Sequence, residues 1–476
     1  MFHLELDATA ESRGDHPAVI FGDRTITHGD LVGAGQATAR WLTETGVTPG
    51  DRVGWLGLND PVLFELLYAA SMLGLAIVPL NSRLTAAEHK AQLTHGNVAR
   101  VLCQPDFAEA LGPALPDTSV LTVVDGSLDG SADVTEFPAD PTTPLLYVFT
   151  SGTTGRPKAA VHTQATLAAT FENGRQASSL TADDITLGFL PLFHVGGLNI
   201  QVLPSLLAGG TVVLHDRFEP GRVLDDIEHF GATTAVFVPA TMTAVIAHPR
   251  WASANLSSLR GVMTGSSVIP MPLLQAFADR GIPPGQVYGS TETGPTTVVL
   301  GFDDAIDHLG AAGRAAALSE VRIVDGELHV RGPNLFVEYD GAPEATAAAF
   351  DDGWYATGDA AHIDAAGVVR IEGRSDDLII SGGENIDPVE VEDVLAAAPG
   401  VQEVAIVGGA SQRWGHAPVA FVVADATLGS PTLDELRAFG QSTLARFKLP
   451  TELHIVEELP RTALGKVQRF ALRNRL

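Results

Sequence analysis

The chain has 476 residues, of which 45% are hydrophobic, and carries a formal net charge of −28. That length exceeds what one hydrophobic core usually serves and predicts two or three domains. Such an acidic balance excludes a broad nucleic-acid footprint, which needs clustered Lys and Arg to displace counterions.

Cys103 is the only cysteine, so no intrachain disulfide is expected, and it reads as a small buried hydrophobe. The opening MFHLELDATAE has no basic stretch ahead of an apolar core, so no secretory signal is read there and a cytoplasmic location is expected. In chain order, DLVGAGQATARWLTETG (30–46) has helical spacing, with Asp30 as N-cap and Gly46 as stop. DRVGWLGL (51–58) and VARVLCQP (98–105) read as strands. Between them, LLYAASMLGLAIVPL (66–80) falls short of the ~18 apolar residues of a membrane helix, and reads as a buried helix feeding a strand. The acidic, turn-rich residues 125–144 form an exposed connection.

A buried run, LLYVF, then leads into FTSGTTGRPKAAVHT (149–163). Glycine lets backbone N–H groups converge on an anion, neighbouring hydroxyls add donors, and Lys158 adds charge. The spacing is not that of a Walker loop, because Ala159 stands where Ser or Thr should follow the lysine. Alone, the loop reads as an anion cradle or as a solvated turn.

Further along, TTAVFVPA (233–240) and LRGVMTG (259–265) read as buried strands, with a helix starting near Met271. Repeated strand–helix–strand units predict mostly parallel sheets covered by helices. After about Ala315 the pattern turns to short strands and turns, and a new compact unit begins near Asp376. The expected domains are therefore 1–375 and 376–476, an α/β N-terminal domain and a small α+β C-terminal one.

TSGTTGRPK resembles the signature loop of the adenylate-forming superfamily: acyl-CoA synthetases, peptide-synthetase adenylation domains and luciferases. PLFHVGG, YGSTET, GELHVRGP, GWYATGD, GRSDDLIISGGENIDPVEVEDVL and PRTALGK follow in that family's order, so the resemblance spans nearly the whole chain. One departure is Ala159, where the family usually has Gly.

The resemblance implies an N-terminal domain with a β-barrel-like part and a mobile C-terminal domain. It also implies a two-step reaction: a carboxylate attacks the α-phosphorus of ATP, and a thiol then displaces AMP from the acyl-adenylate. By that likeness Thr150, Ser151, Gly152, Thr153, Thr154, Gly155 and Lys158 fold over the β- and γ-phosphates. Thr291 meets the α-phosphate and Glu292 holds Mg²⁺, while Asp359 and Arg374 grip the ribose. Tyr288 stacks on adenine beside Gly265, Ser266 and Gly289. Lys466 bridges carboxylate and α-phosphate in the first step, and Asp376 is the hinge.

The second step is expected to use coenzyme A, with Gly382 and Gly383 lining a pantetheine tunnel and Trp414, Phe447 and Lys448 at the CoA nucleotide. His194, Val195, Gly196, Phe237 and Gly289 are expected at the acyl group, with His194 as a gate at the thiol channel and a general base the weaker reading of it. Those segments contain no Lys or Arg to pair a second carboxylate, so an apolar monocarboxylate, aromatic or medium-chain fatty, is expected. The alternative is an adenylation enzyme that loads a carrier-protein thiol. Expected partners are the acid and CoA, with no nucleic acid and no integral membrane segment; a homodimer is an open expectation.

Overall fold

A computed structural model describes residues 1–116, 119–124, 126, 128–150, 158–266, 269–374, 378–425, 428–460 and 467–476, without the side chains of Ala114, Arg374 and Phe470. Expected site residues Ser151, Gly152, Thr153, Thr154, Gly155, Asp376 and Lys466 lie outside the described residues.

Two large sheets carry the first two-thirds of the chain. One has nine strands, running in space from Arg314–Ala315 through Val298–Leu300, Pro284–Tyr288, Gly261–Thr264, Thr234–Phe237, Ile185–Gly188 and Thr211–Leu214 to Pro17–Phe21 and Arg24–Thr27. Its centre is parallel, and its edges close with antiparallel pairs. The other has seven strands, with Ala76–Leu80, Arg52–Leu56 and Arg100–Cys103 parallel at its centre, and the antiparallel hairpin Pro144–Thr150/Lys158–Thr163 beside them.

The helix Val62–Leu73 is apolar nearly all round and buried along almost its whole length, as such a sequence requires. It packs in one core with residues of both sheets, such as Ile77, Leu145, Val212 and Leu214. Helix His28–Glu44 differs from expectation at its start. Thr27 is the N-cap, accepting from the Asp30 amide, while the Asp30 carboxylate accepts from the Thr27 amide. Asp30 is thus the third-position half of a capping box, because the strand ending at Thr27 runs directly into the helix.

A five-stranded antiparallel sheet (including Glu320–Val324, Glu327–Arg331, Trp354–Ile363 and Val369–Arg374) forms the half-barrel part. After it comes the smaller C-terminal sheet, built on the long pair Val401–Ser411 and Gly415–Ala424. Helices Pro388–Leu395 and Leu433–Gly440 cover one of its faces, and Leu459 and Leu472 pack on the other. No helix among the described residues is long and apolar enough to cross a membrane.

Candidate active site

The parallel strands of the nine-stranded sheet end at Gly188, Leu214, Phe237 and Thr264, and the segments that follow those ends open into one groove. Ligand sites of α/β sheets lie in such crevices beyond the carboxyl ends of strands. The opposite wall comes from Asn81–Leu84, Gly382–Asn385 and the neighbourhood of Trp414 and Lys448. The cavity measures about 1430 Å³, above the ~300–1,000 Å³ of a pocket for one drug-sized ligand. It has room for more than one reactant at a time.

One side of the site is built entirely from the two large sheets and the half-barrel. Thr150 and Lys158 face each other as the last register pair of the hairpin, and the Thr150 hydroxyl donates to the Lys158 carbonyl at 3.4 Å. The Lys158 ammonium lies 5.3 Å from the ring centroid of Tyr339, whose hydroxyl donates to Glu292 Oε1 at 3.0 Å. Glu292 is only 9% exposed. Its turn is tightly held: the Thr291 carbonyl accepts from His162 Nε2 at 2.8 Å, and the Glu292 carbonyl accepts from the Phe336 amide at 2.8 Å. Burial pushes the His162 pKa down to about 4, so the ring is neutral and donates.

Among the described residues no cluster of three or more His, Cys, Asp or Glu could hold a metal ion alone. A single buried carboxylate, with one oxygen already taken by Tyr339, fits Mg²⁺ that arrives on a nucleotide and keeps phosphate and water ligands. Nearby, the Tyr288 hydroxyl donates to Asp359 Oδ2 at 2.5 Å, and Asp359 pairs across the strands with Arg374. Ser266 sits at φ +75°, a left-handed turn directly after Gly265.

The other side is built across two parts of the chain. Glu384, only 3% exposed, accepts from Asn81 Nδ2 at 3.0 Å and Arg83 Nη1 at 2.7 Å, and pairs with His194 Nε2 at 3.0 Å. Burial alone would raise its pKa, but His194 and Arg83 outweigh that and hold it at about 2. Gly382 and Gly383 take φ of +59° and +88° on the turn before it. A Cβ on Gly382 would meet the Trp414 ring at 2.8 Å, and one on Gly383 would point towards Ser266 Oγ at 3.8 Å. Trp414 is 42% exposed, with the Arg413 guanidinium 4.6 Å from its ring centroid. Phe447 lines the groove. Lys448 does not offer a free ammonium: it is held by Glu88 at 2.7 Å and by the two oxygens of Glu390 at 2.8 and 2.9 Å.

On the side expected to face the acyl group, Phe237 departs from expectation. Phe237 is 1% exposed and packs on Phe189 and Phe277 in the core, while Val236 and Val238 line the groove. Alternation along a strand sends neighbours to opposite faces, so Phe237 cannot share the face of Val236 and Val238. Gly197 does not supply room either, because a Cβ there would lie 2.2 Å from the Pro191 carbonyl oxygen. Gly196 does, since a Cβ would meet only Ile200 Cδ1 at 3.9 Å. Val195 and Gly289 also line the groove.

Sequence reasoning did not single out Tyr339, Arg83, Glu384, Phe218 or the Asp216–Arg217 pair, which also line or support the groove. Residues 216–218 follow the end of strand Thr211–Leu214, and that position alone could have flagged them.

Comparison with known proteins places this geometry. The model of the AMP-binding enzyme family matches residues 6–340, and that of the AMP-binding enzyme C-terminal domain matches residues 390–466. The chain is 40% identical to an indoleacetate–CoA ligase of Aromatoleum aromaticum, over 96% of this chain and 94% of the other. Among solved structures, it is 30% identical to a double mutant of o-succinylbenzoate CoA synthetase from Bacillus subtilis, bound to a CoA product analogue. That likeness covers 99% of this chain and 98% of the other, with a TM-score of 0.91. Against the same B. subtilis enzyme in complex with AMP, identity is again 30%, coverage is 99% and 97%, and the TM-score is 0.73.

Proposed function

The chain belongs to the AMP-binding enzyme family and is an AMP-forming acid–CoA ligase; from that premise we propose that its acid is an apolar aromatic monocarboxylate. The observation that carries the proposal is the acyl wall of the groove. Phe218, Val236 and Val238 line the groove together with Gly196, where a Cβ would meet only Ile200, and Arg217 on the same segment as Phe218 lies 3.5 Å from Asp216. A flat ring suits such apolar walls, whereas a second carboxylate set against them would lose its hydration. The indoleacetate and o-succinylbenzoate ligases named above act on aromatic acids, which supports the aromatic ring; o-succinylbenzoate carries two carboxylates, so the single carboxylate of the proposal rests on the groove wall alone.

We further propose that the two steps use two arrangements of the chain. The higher likeness to the structure holding a CoA product analogue supports reading the described arrangement as the thioester-forming one. In it Gly382–Glu384 meets the groove, while Leu459 and Val467 pack on the other face of the C-terminal sheet. Rotation about Asp376, at the boundary of domains 1–375 and 376–476, would bring Lys466 to the carboxylate and α-phosphate for the first step.

On this reading Glu292 would hold the Mg²⁺ that neutralises the triphosphate, and the neutral His162 fixes the Thr291 carbonyl so that the turn presents Glu292 correctly. Tyr288 and Asp359 orient the adenosine. In the second step His194, fixed by Glu384, gates the thiol channel, and half-exposed Trp414 with Arg413 offers a stacking platform for the CoA nucleotide.

The test is pyrophosphate release from ATP over a panel of arylacetic, cinnamic and benzoic acids and C4–C16 fatty acids, with and without CoA. Aromatic acids are expected to exceed fatty acids by about tenfold or more in kcat/KM, a difference one pocket can supply. AMP release should depend on CoA. Preference for a C8–C12 acid would overturn the aromatic assignment. Turnover with a carrier protein but not with CoA would favour the carrier-loading alternative.

A further inference from the structure

We propose that Glu88, Lys448 and Glu390 form a latch that selects the thioester-forming arrangement, which makes Glu88 a positioning residue of the second half-reaction alone. The proposal rests on the two-arrangement reading above. Lys448 and Glu390 belong to the C-terminal part and would move together; Glu88 stands in the first turn of helix Ala86–His95, beside the seven-stranded sheet. The three side chains are 8%, 17% and 11% exposed. An ammonium has three N–H donors, and these three carboxylate oxygens take them all. None is left for a CoA phosphate.

A buried cation between two acids is stable only while both stay in place, because removing one partner strands a desolvated charge. Burial works against the ammonium, yet Glu390 and Glu88 outweigh it and hold the Lys448 pKa above the ordinary lysine range. Glu88 has a second role that survives undocking: its Oε2 accepts from the Thr85 amide at 2.8 Å in the capping box of its helix. Separation therefore leaves the helix cap intact, and the effect of the latch falls on the docked arrangement alone. The same short segment offers Asn81 and Arg83 to Glu384, and the Thr85 hydroxyl to the Thr443 carbonyl at 3.1 Å. Closing the latch and seating Glu384 beside His194 are thus one docking event.

Glu88→Gln tests this, since Gln retains the capping-box acceptor and removes only the charge. Both half-reactions are measured on the full chain with the best acid of the panel above: ATP–pyrophosphate exchange, and acyl-CoA formation from the synthetic adenylate of that acid. Transfer is expected to fall about tenfold, the loss of one buried charged contact, with exchange within about twofold of wild type. Glu390→Gln should show the same split. An equal fall in both half-reactions, or unchanged transfer, would overturn the latch. Gly383→Leu, assayed alongside, distinguishes the two failures. If it separates the half-reactions while Glu88→Gln does not, the latch alone fails; if it does not, the two-arrangement reading fails with it.

Discussion

The two walls of the groove are built on different terms. The wall proposed for the nucleotide, from Lys158 through Tyr339 and Glu292 to Tyr288 and Asp359, is fixed within the large sheets and the half-barrel. The wall proposed for the thiol is assembled where the C-terminal part meets residues 81–88 and His194. A permanent wall serves both half-reactions with the same atoms, whereas an assembled wall can be present for one step and absent for the other. On the proposed reading, an enzyme that exchanges one nucleophile for another gains from that division: the adenylate would stay against a constant surface while the opposite surface changes.

Four substitutions sharpen or break the contrast. The largest effect is expected from Glu292→Gln, which should lower pyrophosphate exchange by about a hundred- to a thousandfold through lost charge stabilisation; a stopped assay at saturating Mg²⁺ checks it. Gly383→Leu attacks only the assembled wall. At φ +88° a side chain is strained, so transfer from supplied adenylate should fall about tenfold or more with exchange largely kept. Tyr339→Phe removes one hydrogen bond to a carboxylate, worth about 1.5–3 kcal/mol, and should raise the Mg²⁺ requirement for exchange about tenfold while sparing transfer. Calorimetric binding of Mg²⁺–ATP analogue to the variant provides the readout independent of turnover.

The smallest functional effect is expected far from both walls. Glu65 sits in the buried helix Val62–Leu73, and burial, with Asp60 nearby, pushes its carboxyl up to about 7. A carboxyl with a raised folded pKa binds more protons folded than unfolded between pH 4.5 and 7, so stability falls as pH rises through that window. Glu65→Gln should therefore stabilise the protein by roughly 1–3 kcal/mol above pH 7, with little change below pH 4.5 and unchanged activity. Thermal melts at pH 4.5 and 8 measure it.

How much of this was legible in the sequence follows the same division. The β-branched runs that became Thr234–Phe237 and Gly261–Thr264 were readable because a buried parallel strand needs only local pattern. The loops proposed to meet phosphate, ribose and thiol stand out as motifs because each is a contiguous stretch. The side chain of Phe237 was misplaced by one alternation of its strand, which a motif cannot resolve. The partners of Tyr339, Arg83 and Lys448 were opaque for another reason: they stand 47, 301 and 360 positions away, and charge placed by tertiary contact leaves no local pattern. The hinge at Asp376 and Lys466, both motif-based expectations, lie outside the described residues.

The central claim is that the described arrangement forms the thioester and cannot form the adenylate. Thr85 and Thr443 touch across the assembled wall, and the sole native cysteine, Cys103, is buried, so Thr85→Cys/Thr443→Cys can be joined by a short bismaleimide with little competition. The joined protein should lose ATP–pyrophosphate exchange by about a hundredfold, as expected when one of two arrangements is excluded, and still transfer acyl groups from supplied adenylate to CoA. The unjoined double variant should perform both steps. Undiminished exchange in the joined protein would contradict the account.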